Sequence, residues 1–227
     1  MPWRALPGER ADPWAVLVSE VMLQQTTVAT VTPRYPVFLA RFPTPAAMAA
    51  APLDDVLHAW QGLGYYRRAR GLHASAMAIV ERQGGRVPGN AAALRELPGI
   101  GAYTAAAVAS IAFGEAVVPN DGNVARVLAR LVAHDEVLSP TKAELQPAAS
   151  LLADGRRAGD LAQALMELGA LACTPRRPAC DRCPWAFACQ AHAAGRAEQL
   201  PVKPVKAARP TRYAVAMLIE DAAGRLC

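Results

Sequence analysis

The chain has 227 residues, 53% of them hydrophobic and 19% charged, with a formal net charge of +5. That apolar content excludes a disordered protein and suffices for one large domain or one and a half ordinary ones. The N-terminal stretch lacks the apolar centre of a secretory signal, and no apolar run approaches the roughly 18 residues of a membrane helix, so a soluble intracellular protein with no membrane partner is expected.

From Asp12 to Gln199 the sequence is rich in Ala, Leu and Val and carries helical punctuation. Asp12-Pro13 and Thr44-Pro45 each read as an N-cap followed by proline at the first helical position, and Asn90 and Asp121 read as caps before apolar-periodic runs. Roughly nine or ten helices joined by short turns is the simplest reading, which makes the chain all-α. At Leu200 the character changes. Residues 199–212 are proline-rich and basic and read as an extended linker, whereas Tyr213 to Glu220 read as a strand and Asp221 to Gly224 as a turn. A strand and a turn cannot fold alone, so 213–227 is expected to be the severed start of a second domain, and 1–198 the helical one.

The first helix carries Glu20. Trp14, Leu17, Val18, Val21 and Gln25 are expected on one face, with Glu20 on the other beside Val16, Leu23, Gln24 and Thr27. Both faces are apolar, so the helix is predicted to be buried. A buried carboxyl is costly to ionise, which raises its pKa and makes it a usable general acid near neutrality. The competing local reading is a Glu paired with a buried Arg.

Gly62 to Arg70, GLGYYRRAR, sets Tyr65 and Tyr66 beside three arginines. Rings stack on or wedge between bases and arginines hold phosphates, although a core tyrosine with a solvated basic face fits equally. In LPGIG, Gly99 and Gly101 allow a hairpin tight enough to present backbone N–H groups and a helix N-terminus to a phosphate; an ordinary helix connection fits the same pattern. Asp121 is locally a helix cap. A cap also holds a carboxylate rigidly enough to face a developing cation, and Asn123 is placed to hold a water.

Near the end, Cys173, Cys180, Cys183 and Cys189 follow C-x6-C-x2-C-x5-C, with Arg176, Arg177 and Arg182 inside the segment. The chain has five cysteines. An odd number with four crowded together argues against a disulfide framework and for a ligated metal in a reducing compartment. Four thiolates suit structural zinc or an iron–sulfur centre, and spacing alone leaves both open.

SEVMLQQT, GLGYYRRAR, LPGIGAYT, VPNDGNV, ALMELGALAC and the four-cysteine loop, in this order, resemble the MutY-type adenine DNA glycosylases of the helix-hairpin-helix superfamily. The resemblance runs from Met1 to the final strand. It implies a two-lobed helical fold and a [4Fe–4S] cluster on Cys173, Cys180, Cys183 and Cys189 that orders the loop of Arg176 and Arg177 against DNA. It implies duplex DNA bearing adenine opposite 8-oxoguanine or guanine as substrate, engaged by a monomer in the cytoplasm, with the adenine flipped into a pocket. Glu20 matches the acid that protonates adenine, and Asp121 the carboxylate that stabilises the oxocarbenium-like sugar. Tyr103 and Asn123 match residues beside Asp121 and the water. Gln25 and Tyr65 match residues that probe the damaged strand, and Trp3, Arg4 and Gln163 match pocket-lining ones.

Strand-cleaving relatives use a hairpin lysine as a Schiff-base nucleophile. Here that position is Tyr103 and no lysine precedes Lys142, so a monofunctional glycosylase is expected. Two departures are visible. The chain begins at MPWR, where family members have a preceding helix, and it stops just inside a segment resembling a MutT-like domain. The rival readings are an endonuclease III-like glycosylase/lyase for oxidised pyrimidines and a non-catalytic helix-hairpin-helix DNA-binding module.

Overall fold

Proline and capping side chains set where the helices begin. The computed structural model of the chain describes residues 1–5, 9, 11–139, 142–153 and 157–202, with 204, 211, 213, 214 and 221 beyond them. Helix α1 (Pro13–Leu23) starts on Asp12, whose Oδ1 accepts from the Ala15 N–H at 2.9 Å. Helices α2 (Val28–Val31), α3 (Tyr35–Arg41), α4 (Pro45–Ala49) and α5 (Leu53–Ala59) follow through short turns. Thr44 caps α4 as its sequence predicts. The long α6 (Arg67–Gln83) buries Arg68, Leu72, Ser75, Ala76 and Ile79 at helical spacing and stops at Gly84, which takes the left-handed φ of +58° that ends a helix without a Cβ penalty.

Asn90 caps α7 (Ala91–Arg95), and the turn through Gly99 leads into α8 (Ala102–Phe113) with Gly101 at its N-cap. These two helices and their turn are the hairpin expected from LPGIG. Asp121 caps α9 (Gly122–Leu131). Then come α10 (Gln146–Leu152), α11 (Ala158–Glu167), a π-helical turn at Leu168–Ala172, and α12 (Gln190–Ala193) beyond the cysteine loop. The described residues thus contain more helices than the roughly nine or ten expected. The excess comes from pieces of four or five residues, α2, α4, α7 and α12, which are too short to print a helical period in sequence.

Two apolar cores make two lobes. The larger is built from α1 to α8 around Leu17, Phe38, Met48, Trp60, Leu72 and Ile79. Phe38 meets Trp60 edge-on, with ring centroids 5.5 Å apart. Cutting Leu17 or Leu72 back to alanine in such a site costs about 2–5 kcal/mol. The smaller core joins α9, α10 and α11 through Val124, Leu128, Leu145 and Leu165, with Cys173 and Trp185 of the cysteine loop packed against it. Helix α8 spans the two lobes, touching α1 and α7 on one side and α11 on the other. The approach of α11 is close because Gly159 has no Cβ; one placed there would lie 2.8 Å from the Ser110 carbonyl.

Three sequence expectations change. Gln25 is not on the face of α1, because the helix ends at Leu23 and Gln25 takes φ 55° in the turn beyond it. Arg68 is not a phosphate-facing arginine, since it is 7% exposed within the larger core. The segment read as a linker starts packed: Leu200 is 1% exposed, its carbonyl accepts from Arg130 Nε at 2.9 Å, and Val202 bridges to Val137. The expected strand and turn of 213–224 lie outside the described residues apart from isolated positions. No helix among the described residues is long and apolar enough to cross a membrane.

Candidate active site

The carboxyl of Glu20 sits one turn before the end of α1, in the wall between the two lobes. The residue is 7% exposed, and burial pushes its carboxyl up to about 7, against the lowering influence of the Tyr103 hydroxyl and the Arg4 charge, while Asp121 raises it further. An apolar helix holds this acid because Val16, Leu17 and Val18 on the preceding turn anchor it in the core. Arg4, whose charge acts on Glu20, is ion-paired directly with Glu167, Nη2 to Oε1 at 2.5 Å.

Asp121 reaches the same space from the other lobe. Its carboxylate caps α9, accepting from the backbone N–H groups of Asn123 at 2.8 Å and Val124 at 2.7 Å and from the Asn123 amide at 3.3 Å. Three donors at a helix N-terminus leave the carboxylate little freedom to rotate. Cap and cleft carboxylate are therefore one residue in one pose.

Two cavities join at these acids. The inner one, about 230 Å³, is lined by Glu20, Asp121, Tyr103, Asn123, Trp3, Arg4 and Gln163 together with Met166 and Glu167. The outer one, about 580 Å³, shares Glu20, Tyr103 and Asp121 and opens past Gln25, Arg67, Gly99 and Gly101. Trp3 is held by an edge contact with Tyr35 at 5.8 Å, and Gln163 turns its amide N–H back to the Gly159 carbonyl at 3.0 Å. The Tyr103 hydroxyl points at Met166 Sδ, 3.4 Å away, and burial beside Glu20 and Asp121 raises its pKa, so it stays a phenol. Tyr65, 55% exposed, stands outside the cavities.

The hairpin forms the rim. Gly99 takes φ 77°, and a Cβ there would lie 3.1 Å from the Gly71 backbone, so glycine is required twice over. Around Gly101, at the N-terminus of the twelve-residue α8, a Cβ would meet open space. Its first-turn N–H groups are thus offered to an anion.

Arg176 and Arg177 do not reach the cavities; both are exposed in the cysteine loop, where the Arg177 N–H is tied to Glu198 Oε1 at 2.6 Å. Cys173, Cys180, Cys183 and Cys189 are free thiols lining one small apolar cavity of about 30 Å³ with Arg130. Arg130 Nη1 donates to Cys173 Sγ at 3.1 Å, a cation set against the charge four thiolates would gather. No three His, Cys, Asp or Glu among the described residues converge on a single ion. A tetrahedral zinc requires all four sulfurs on one point, whereas an iron–sulfur cluster gives each thiolate its own iron. Four thiols gathered beside a cation fit a cluster of that kind.

Sequence reading missed three arginines. Arg126 donates to Asn123 Oδ1 at 2.9 Å, to the Gly169 carbonyl at 2.7 Å and to the Cys173 carbonyl at 2.7 Å. Arg130 holds the start of the cysteine loop, and Arg68 the turn after α1. Only the 3.6-residue spacing of Arg126 and Arg130 on α9 hinted at a shared face.

Two helical lobes, a glycine hairpin at the rim and paired carboxyls in the cleft define a base-excising DNA repair fold. Residues 18–151 match the model of the HhH-GPD superfamily base excision DNA repair protein, and the chain belongs to that superfamily. Residues 173–189 match the iron-sulfur binding domain of endonuclease III, in agreement with the [4Fe–4S] cofactor expected from the sequence. Relatives that it matches along most of its length include adenine DNA glycosylases. It is 46% identical over 207 residues to the adenine DNA glycosylase of Homo sapiens, covering 88% of this chain and 38% of that protein. It is 46% identical over 185 residues to the adenine DNA glycosylase of Mycolicibacterium smegmatis, covering 81% and 62%. The chain thus spans about two-fifths to three-fifths of these relatives' length. Among solved structures, a thermostable thymine-DNA glycosylase superposes with a TM-score of 0.73 at 30% identity, over 84% of this chain and 89% of that one. A trapped endonuclease III–DNA covalent intermediate shares the fold at a TM-score of 0.69 and 24% identity, over 86% and 91%.

Proposed function

We propose that this chain is the catalytic part of a monofunctional adenine DNA glycosylase, which hydrolyses adenine from duplex DNA where it is mispaired with 8-oxoguanine or guanine. The observation that carries the reading is the pairing of Glu20 and Asp121 on one cavity, the first with a carboxyl near neutrality and the second an anion clamped by its own helix. Such a pair divides acid and anion roles between two carboxyls, as glycoside cleavage requires.

The adenine nucleotide leaves the stack and its base enters the inner cavity between Trp3 and Gln163. Glu20 gives its proton to a ring nitrogen, so that adenine departs neutral. As the N-glycosidic bond lengthens, positive charge grows on the sugar, and the Asp121 carboxylate faces it. Asn123, held by Arg126, orients the water that adds to the sugar carbon, and the water's proton returns to the Glu20 carboxylate left by the first transfer. Tyr103 lines both cavities beside the two carboxyls and supplies a neutral hydroxyl to Glu20. The hairpin N–H groups hold a flanking phosphate.

Lys142 is the single lysine among the described residues. Its Nζ donates to the Asn120 carbonyl at 3.3 Å, and it lines neither cavity. With a phenol at the hairpin position and no lysine among the described residues lining either cavity, a lysine-based Schiff base has no support there, which favours excision without strand cleavage. The four thiolates hold the cluster as a structural staple: it orders the loop that carries Arg176 and Arg177 toward DNA. The catalytic unit is 1–198, followed by 199–212 and by 213–227, whose sequence resembles part of a MutT-like domain, and the enzyme acts as a cytoplasmic monomer on the chromosome.

The test is incubation with duplexes carrying adenine opposite 8-oxoguanine, adenine opposite guanine, or thymine glycol. Breaks at adenine that need alkali are expected. Breaks at thymine glycol without alkali overturn the reading in favour of an endonuclease III-like lyase, and binding without any breaks leaves only a DNA-binding module.

A further inference from the structure

Two turns that flank the outer cavity end on one buried side chain. Arg68 Nη1 donates to the carbonyls of Val21 at 3.0 Å, Met22 at 2.9 Å and Gln24; Nη2 donates to Thr26 Oγ1 at 2.8 Å and to the carbonyls of Leu63 at 2.8 Å and Gly64 at 3.2 Å. The first set closes α1 and the turn beyond it. The second ties Thr26 of that turn to Leu63 and Gly64 in the turn that leads into α6. The turns also touch directly, with Thr26 Oγ1 3.3 Å from the Leu63 carbonyl.

Each turn carries a non-glycine residue in the left-handed region, Gln25 at φ 55° and Tyr65 at φ 45°. A side-chain-bearing residue stays in that region only where its surroundings over-determine it. Here the over-determining group is the same for both. The Arg68 guanidinium also lies 5.5 Å over the Tyr65 ring. On the far side, the Gln24 amide donates to Thr104 Oγ1 at 3.0 Å, which locks the first turn to α8 beside Tyr103. Gln25 and Tyr65 themselves remain exposed, and Gln25 lines the outer cavity with Glu20 and Asp121.

We propose that Arg68 is a positioning residue whose single guanidinium fixes Gln25 and Tyr65 as one rigid probe of the base left behind in the duplex. The inference rests on the glycosylase reading of the cavity. A nucleotide drawn into that cavity leaves a gap in the stack and an unpaired partner base. A ring fills such a gap by stacking, and an amide offers both donor and acceptor to the orphaned base edge. Discrimination between partner bases then depends on how well ring and amide are held, and a fork of donors fixes two turns at once where a point charge cannot.

The test uses the full chain with Arg68→Lys and, as a milder variant, Thr26→Val, which deletes a single acceptor of the fork. Two readouts are taken. The first is the ratio of single-turnover excision rates for adenine opposite 8-oxoguanine and opposite guanine, which does not depend on the fraction of active protein. The second is the fluorescence of 2-aminopurine set opposite a stable abasic analogue, which reports contact with the partner base without catalysis. The ratio is expected to fall about tenfold in Arg68→Lys and about threefold in Thr26→Val, with 2-aminopurine emission shifting in both. An unchanged ratio and unchanged emission in a folded Arg68→Lys overturn the proposal while leaving the glycosylase reading intact. A wild-type chain that excises no adenine yet shows the emission shift overturns that reading and supports the positioning role. If Arg68→Lys does not fold, Thr26→Val decides: a shift in the same direction supports the role, and wild-type values overturn it.

Discussion

Arg126 donates its Nε–H to the carbonyl of Cys173 at 2.7 Å, which brings the first cysteine of the cysteine loop within one side chain of Asn123 and the cavity it lines. The same guanidinium holds Asn123 Oδ1 and the Gly169 carbonyl. The end of α11, the cysteine loop and the N-terminus of α9 thus share one buried cation. Replacing it with Met leaves those buried acceptors unpaired, at about 1–3 kcal/mol each. Arg126→Met is expected to lower both thermal stability and excision rate, whereas a variant of the exposed Arg95 should lower neither. Melting curves and single-turnover assays on the two variants check this.

Glu20→Gln removes the proton donor we propose and keeps the shape. Excision is expected to fall by at least about a hundredfold, the usual worth of a positioned general acid, with duplex affinity retained. Gel-shift and excision assays on the same preparation separate the two effects.

The pH dependence follows from the raised Glu20 carboxyl, from 4.5 to about 7. The donor is protonated below that value, so the excision rate should drop as pH rises through about 7. Stability has the same sign. Between pH 4.5 and 7 the folded chain binds a proton that the unfolded chain does not, so this contribution is fully present below the unfolded pKa and is lost as pH rises to about 7. The loss amounts to about 3 kcal/mol. Glu20→Gln should therefore melt higher than wild type at pH 8, and the gap should close toward pH 4.5. A gap that is constant with pH would contradict the burial of an ionisable group there.

Cys189→Ser takes away one thiolate of the four. The visible absorption and iron content expected of the purified chain should fall, and DNA affinity with them, because the loop bearing Arg176 and Arg177 loses its staple. Metal analysis and binding isotherms decide it.

Gly169→Ala probes the packing behind Asn123. A Cβ at that position would lie 2.8 Å from Asn123 Cβ and 2.9 Å from its carbonyl, so the π-helical turn must move off the start of α9. Overpacking of this kind costs about 1–3 kcal/mol. Excision should drop further than duplex binding, since Asn123 and Asp121 share that helix start. Equal loss of both would indicate a general rather than a local displacement.

Local chemistry made much of this molecule legible in its sequence. Asp12, Thr44, Asn90 and Asp121 cap the helices they were expected to cap, because a cap is decided by a side chain and a backbone N–H two or three residues away. Gly99 and Gly101 announced the hairpin for the same reason, and the four cysteines announced a metal loop. The burial of Glu20 was readable from the apolar residues on every side of it.

What sequence did not reveal is which arginines are solvent-facing and which are structural. Arg67, Arg68 and Arg70 look alike in GLGYYRRAR, yet Arg68 alone is buried, and on α9 both Arg126 and Arg130 point inward. Most of their acceptors are backbone carbonyls, and many lie far along the chain, at 21–24, 169–175 and 200. A carbonyl has no residue identity, so no motif marks it as a partner. Only folding brings those carbonyls to the guanidinium, and the desolvation of the charge then makes every one of the bonds obligatory.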